Sequence, residues 1–80
     1  MLRILFFSWA RSLAGVAEIS LPLYEASCPA ALWRCLIQRF PEFATLRETA
    51  RVARNCEFVS EEDSFSDGDE IAIIPPVSGG

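Results

Sequence analysis

Two apolar segments bracket this chain, Leu2–Trp9 at one end and Glu70–Ile74 at the other, and only one stretch between them is long and periodic enough for a substantial helix. That arrangement narrows the folds available. Eighty residues make one small domain, whose core suffices only if the fold is economical. The two end segments, rich in Ile, Leu and Phe, read as strands. Between them Leu32, Leu36 and Phe40 recur at i, i+4, i+8, with Trp33 and Ile37 beside them, so one broad helical face is apolar. Ser27 is the expected N-cap and Pro29 falls in the first turn, where its missing N–H costs little. Pro41 ends the helix.

The remaining segments read as shorter pieces. Strand one spans 2–9, and residues 10–15 form a turn with one helical turn. Strand two spans 16–23 and makes a hairpin with strand one. A second, shorter helix is expected over 42–50. Short strands over 51–54 and 56–59 flank Asn55, a residue tolerated in tight turns. An acidic loop over 61–66 and the turn Asp67-Gly68-Asp69 lead into the last strand, 70–74. Strand one and the last strand can lie side by side in parallel with the helix crossing one face. This is an α+β, β-grasp (ubiquitin-like) arrangement: a mixed sheet, one main helix on one face, a domain over residues 1–74 and an extended, flexible Gly-Gly tail over 75–80.

Composition removes most chemistries. The chain has no histidine and all seven basic residues are arginine. A Ser-His-Asp or Cys-His arrangement and a lysine Schiff base are therefore excluded. No glycine-rich phosphate loop is present. Cys28, Cys35 and Cys56 are too few and too scattered for a zinc site, and no metal is expected. They fit small apolar core positions and a reducing compartment such as the cytoplasm. Seven of the eleven acids lie between Glu57 and Glu70, without a distinctive pair spacing, and read as a solvated face. A net charge of −4 argues against a nucleic-acid partner. The apolar start is too short, and too soon interrupted by Arg11, for a membrane span or a signal peptide.

What remains is the end of the sequence, Pro75-Pro76-Val77-Ser78-Gly79-Gly80. Two prolines stiffen the exit from the last strand in an extended conformation. Two glycines without side chains then suit a narrow channel and close approach to the Gly80 carboxylate.

The stretch Asp67-Gly68-Asp69-Glu70-Ile71-Ala72-Ile73-Ile74 followed by that tail resembles the ending of molybdopterin synthase small subunits, as does the start, Ile4-Leu5-Phe6-Phe7 followed by Arg11 and Gly15. The resemblance implies a sulfur carrier of molybdenum cofactor biosynthesis. It would be the sulfur-donating subunit of an enzyme, with no catalytic site of its own and no cofactor bound by this chain. A ubiquitin-activating-type enzyme would use ATP and Mg²⁺ to adenylate Gly80, and a sulfur-transfer protein would supply the sulfur of a Gly80 thiocarboxylate. The tail would then enter the large subunit, in a heterotetramer, where the sulfur attacks cyclic pyranopterin monophosphate. Gly80 would carry the reactive atom and Gly79 would give access. Two alternatives stay open, a thiamine-pathway sulfur carrier and a ubiquitin-like protein modifier. Pro75-Pro76 favours the molybdopterin family over the first, and the lack of lysine argues against a chain-forming tag.

Strand parity suggests where a partner docks. Side chains alternate between faces, so Leu2, Ile4 and Phe6 share one face of strand one and Arg3, Leu5, Phe7 and Trp9 the other. Arg3 and Glu70 are poor core residues and mark the open face. Leu5, Phe7 and Ile74, next to the tail root, would form an apolar patch there. Arg11 would give a polar contact at its rim, and Pro75, Pro76, Val77 and Ser78 would continue into the partner.

Overall fold

The computed structural model describes residues 1–76. Its elements in chain order are β1 (Leu2–Phe6), α1 (Ser8–Ala14), β2 (Glu18–Leu21), a 3-10 turn (Leu23–Glu25), α2 (Pro29–Arg39), α3 (Phe43–Leu46), β3 (Arg51–Arg54), β4 (Glu57–Phe58) and β5 (Glu70–Ile74). The five strands form one sheet in the order β2-β1-β5-β3-β4. β1 and β5 run parallel, with Arg3 opposite Glu70 and Leu5 opposite Ala72, while the other pairs are antiparallel. This is the expected β-grasp arrangement.

The first apolar run is not one strand to Trp9. Ser8 adopts φ 51°, a left-handed conformation that turns the chain out of the sheet after Phe7. From there Ser8–Ala14 wind into a helix that buries Ala10 fully. Gly15, at φ 77°, closes it by donating its N–H to the Arg11 carbonyl at 2.9 Å. Trp9 is thus a helical residue and leaves the strand face assigned to it. Strand two is likewise shorter than expected, as is β4.

The cap of α2 shifts by one residue. A residue before proline is pushed into extended backbone, and here that residue is Cys28, at φ −152° and ψ 167°. Cys28 therefore takes the N-cap place expected of Ser27, and no side chain caps the helix. Ser27 instead accepts the Phe65 N–H on its carbonyl, at 2.8 Å. That bond holds the acidic loop while Phe65 plugs the core beneath it. The second helix is a single turn within the expected 42–50.

The core lies between one face of the sheet and the helices. Leu2, Ile4, Phe6, Leu21, Val52, Ile71 and Ile73 from the strands meet Ala10, Leu32, Trp33, Leu36, Phe43 and Leu46 from the helices. Phe43 is fully buried and sits 5.5 Å from Phe6, 5.3 Å from Phe40 and 6.4 Å from Trp33, ring centre to ring centre. These separations suit edge-on and tilted aromatic contact. Among the described residues no polar or charged side chain is buried.

The cysteines divide. Cys28 and Cys35 are half-buried, Cys35 against the core, but Cys56 is exposed, contrary to the core position expected of it. Asn55 and Cys56 form the tight β3–β4 turn with φ 49° and 74°, and a turn corner turned outward leaves the thiol no core to enter.

Candidate functional site

Pairing register decides which side chains share the face away from the helices. Cross-strand partners point to the same side, so Leu5, Ala72, Ala53 and Phe58 form one row across four strands. The next row, nearer the end of β5, holds Ile74 and Arg51. Phe7 reaches the same level, donating its N–H to the Ile73 carbonyl at 3.4 Å. The row on the other side of Leu5 is charged. There Arg3 Nε and Nη2 donate to Glu18 at 2.9 and 3.0 Å, and Arg3 Nη1 donates to Glu70 at 3.0 Å. The open face is thus split between an ion-pair cluster of one arginine and two carboxylates and an apolar field at the tail root.

Burial across this field is uneven in an informative way. Ala53 and Ala72 are small and form its floor, Ala53 buried and Ala72 half-buried by neighbours on their own face. Phe7 and Phe58 stand above it at 48% and 57% exposure. Two exposed phenylalanines on a surface carrying net negative charge form the kind of apolar patch that marks a partner site. Leu5 and Ile74, both half-buried, fill the space between them. The structure thus brings Leu5, Phe7 and Ile74, the residues named from strand parity, to one end of the same face. The sequence reading misses Phe58, which adds a second aromatic anchor. The usable signal was period-two parity through β3, with the β3–β4 turn setting Phe58 opposite Ala53.

Arg11 comes from α1 and lines a shallow recess of about 220 Å³ together with Leu5, Phe6, Phe7, Ser8, Ala17 and Glu18. It lies at the rim of the patch, as expected, and no ion pair engages it among the described residues. At the tail root, Pro75 is buried and Pro76 is exposed. The ring of Pro75 therefore packs with the domain, and Pro76 is exposed at its surface. Val77, Ser78, Gly79 and Gly80 lie outside the described residues.

The turn that feeds β5 is a structural device. Gly68 adopts φ 88°, and its N–H donates to the Met1 carbonyl at 3.0 Å. Asp69 accepts from the Ser66 N–H at 2.8 Å and from the Asn55 side-chain amide at 3.1 Å. The Ser66 N–H is the main reason its carboxyl is held below the usual carboxylate range, with Asn55 adding to it. Hydrogen bonding to Arg3 lowers Glu18 in the same sense, and Glu18 raises the Arg3 guanidinium in return. Asp67 pairs with the Met1 ammonium. The Asp67–Glu70 stretch therefore pins the end of β5 away from the tail, its acids engaged with Met1, Ser66, Asn55 and Arg3. Among the described residues no cluster of three metal-binding side chains exists. None of the helices there is long and apolar enough to cross a membrane.

Comparison with known proteins agrees with this geometry. A family model described as the ThiS family matches residues 4–80. A molybdopterin synthase sulfur carrier subunit from Aedes aegypti is 37% identical over 96% of this chain and 86% of its own length. The crystal structure of SAMP1 from Haloferax volcanii superposes with a TM-score of 0.83 at 22% identity, covering 99% of this chain and 98% of that one. A chain of the complex of subunits 1 and 2 of molybdopterin-converting factor from Helicobacter pylori 26695 superposes at 0.70 and 21% identity, covering 99% of this chain and 97% of that one.

Proposed function

The chain belongs to the ThiS family, and on that premise we propose that it is the sulfur carrier subunit of a molybdopterin synthase, working through Gly80. One observation carries the reading. The open face ends in an apolar patch at the root of a tail that runs Pro75-Pro76-Val77-Ser78-Gly79-Gly80. A large subunit that docks on Leu5, Phe7, Ile74 and Phe58 receives the tail in a fixed direction. Buried Pro75 fixes where the tail leaves the surface, and Pro76 limits how far it can swing.

The chemistry follows from the weakness of a carboxylate as an electrophile. An adenylating enzyme, using ATP and Mg²⁺, joins the Gly80 carboxylate to AMP and releases pyrophosphate. A sulfur donor then displaces AMP, leaving a Gly80 thiocarboxylate. In the large subunit that sulfur attacks the pterin precursor, and hydrolysis returns Gly80 as a carboxylate. This chain brings the reactive end and the docking face, and none of its described side chains takes part in proton transfer. It contains no lysine. The activated glycine therefore meets no lysine side-chain amine of its own to acylate.

Mass spectrometry of the protein co-expressed with its adenylating enzyme and sulfur donor tests this reading. The expected product has one carboxylate oxygen of Gly80 replaced by sulfur. Amide conjugates to other proteins instead would identify a protein modifier and overturn the carrier reading.

The patch makes its own prediction. Phe7→Ala should cost about 2 kcal/mol of binding to the large subunit, as loss of an aromatic anchor does at an interface centre. Ile74→Ala should weaken binding in the same direction, without unfolding, because its side chain faces away from the core. Calorimetric titration, with circular dichroism to confirm folding, measures both. Parent-like affinity in both folded variants would show that another surface delivers the tail.

A further inference from the structure

Arg51 occupies an unusual place for an arginine. It stands opposite Ile74 in the β3–β5 register, so it projects from the apolar field at the last residue before Pro75. Its guanidinium carbon lies 4.2 Å from the centre of the Phe58 ring. A cation held on a ring face has already surrendered much of its side-chain freedom. A guanidinium that rests on a ring face can keep its edge donors free for a planar, bidentate acceptor.

The other strand arginine of this face is engaged. Arg3 is paired with Glu18 and Glu70. Arg51 has no carboxylate within ion-pair distance among the described residues, although Glu61 lines the same neighbouring cleft. The chain as a whole carries a charge of −4, and Arg47 lines the same cleft, so the two arginines make a local positive spot on an acidic protein. An unmatched, braced cation continuous with the docking patch calls for a complementary anion on whatever covers it.

We infer that Arg51, braced on Phe58, is a specificity-determining cation of the docking face that receives a carboxylate side chain of the large subunit beside the entrance of its tail channel. The inference rests on the docking reading above and sharpens it, because it states what the partner carries at that point. The pair orients the complex. An apolar patch alone tolerates rotation, whereas a fork-to-carboxylate contact at the tail root fixes the angle at which Pro76 enters.

Binding to the large subunit is measured by titration for the parent, Arg51→Met and Arg51→Glu, at low salt and near 1 M salt. Methionine keeps an apolar stem on Phe58 and removes the charge. Arg51→Met should bind about tenfold more weakly at low salt, with the gap closing at high salt as the Debye length falls to about 3 Å. Arg51→Glu should bind more weakly still, and replacing the opposing large-subunit carboxylate by lysine should restore it. Parent-like binding of Arg51→Glu at low salt would overturn the inference. So would an Arg51→Met loss that is the same at both salt concentrations, since packing would then account for it. A parent chain that fails to bind the large subunit would instead overturn the docking reading itself.

Discussion

A chain lacking Gly80 should produce no molybdopterin above background while melting at the parent temperature. The two halves of this expectation have separate physical grounds. The core is complete within the described residues, and its last contributors are Ile71 and Ile73, followed by the buried ring of Pro75. Gly80 lies beyond these residues in the chain, and its removal leaves every one of them in place. The chemistry is affected quite differently. Without Gly80 the carboxylate retreats by one residue, about 3.5 Å along an extended chain. A misplacement of about 1 Å can already cost about a hundredfold in rate. Replacing Gly79 by a β-branched residue should give the same loss by a different route, since the carboxylate keeps its reach but its approach is crowded. Product assays with purified large subunit, alongside thermal melts, check both halves. Near-normal product from the shortened chain would sink the assignment of Gly80 as the reactive residue.

Phe43→Ala should do the reverse, damaging the fold first and function only as a consequence. Phe43 is wholly buried and joins Phe6 of β1, Trp33 of α2 and Phe40 at the α2 end into one aromatic group. Removing a buried phenylalanine ring costs roughly 3–5 kcal/mol, in lost transfer energy and in the cavity left behind. A domain of this size has only about 4–12 kcal/mol in total. Each kcal/mol shifts the midpoint of such a domain by about 4–8 °C, so a fall of roughly 12–40 °C is expected in a thermal melt followed by circular dichroism. A fall below about 5 °C would mean that neighbouring side chains collapse into the space and that the aromatic group is not the keystone described here.

These two residues also show how differently sequence and structure inform. Gly79 and Gly80 are readable only as sequence, because glycines after paired prolines stand out in composition while the described coordinates stop short of them. Phe43 is the opposite case. It sits in a four-residue helix after Pro41, where no periodicity can develop, and nothing local announces that its ring closes the core. The strand faces were legible wherever a charge marked the outside. Arg3 and Glu70 fix the parity of β1 and β5, and Leu2, Ile4, Phe6, Ile71 and Ile73 then fall inside.

Legibility failed where the backbone departs from the local pattern. The run from Leu2 to Trp9 is mostly apolar, and a lone serine fits the outer face of a strand as well as a turn, so Ser8 does not by itself announce the helix that follows. Phe58 was hidden by its setting, a two-residue edge strand leading into acidic residues that resembles a loop. Its importance depends on β3 bringing Ala53 and Arg51 alongside, a relation between segments that no window along the chain contains.

The parallel pairing of β1 with β5 gives the molecule two poles. Met1 and the β3–β4 corner lie at one, since Gly68 bonds the Met1 carbonyl and Asn55 bonds Glu70. Ile74 and the tail root lie at the other, a strand length or roughly 15 Å away. Cys56, exposed at that corner, is therefore a place to attach a thiol-reactive fluorophore at the pole opposite the tail root, two residues from Phe58. A dye there would report tumbling as the partner binds and leave the Gly-Gly end unencumbered. The half-buried Cys28 and Cys35 would react more slowly, so labelling could be steered by exposure alone. The same polarity favours Met1 over the glycine end for tethering the protein to a surface, because the partner would still meet an open face.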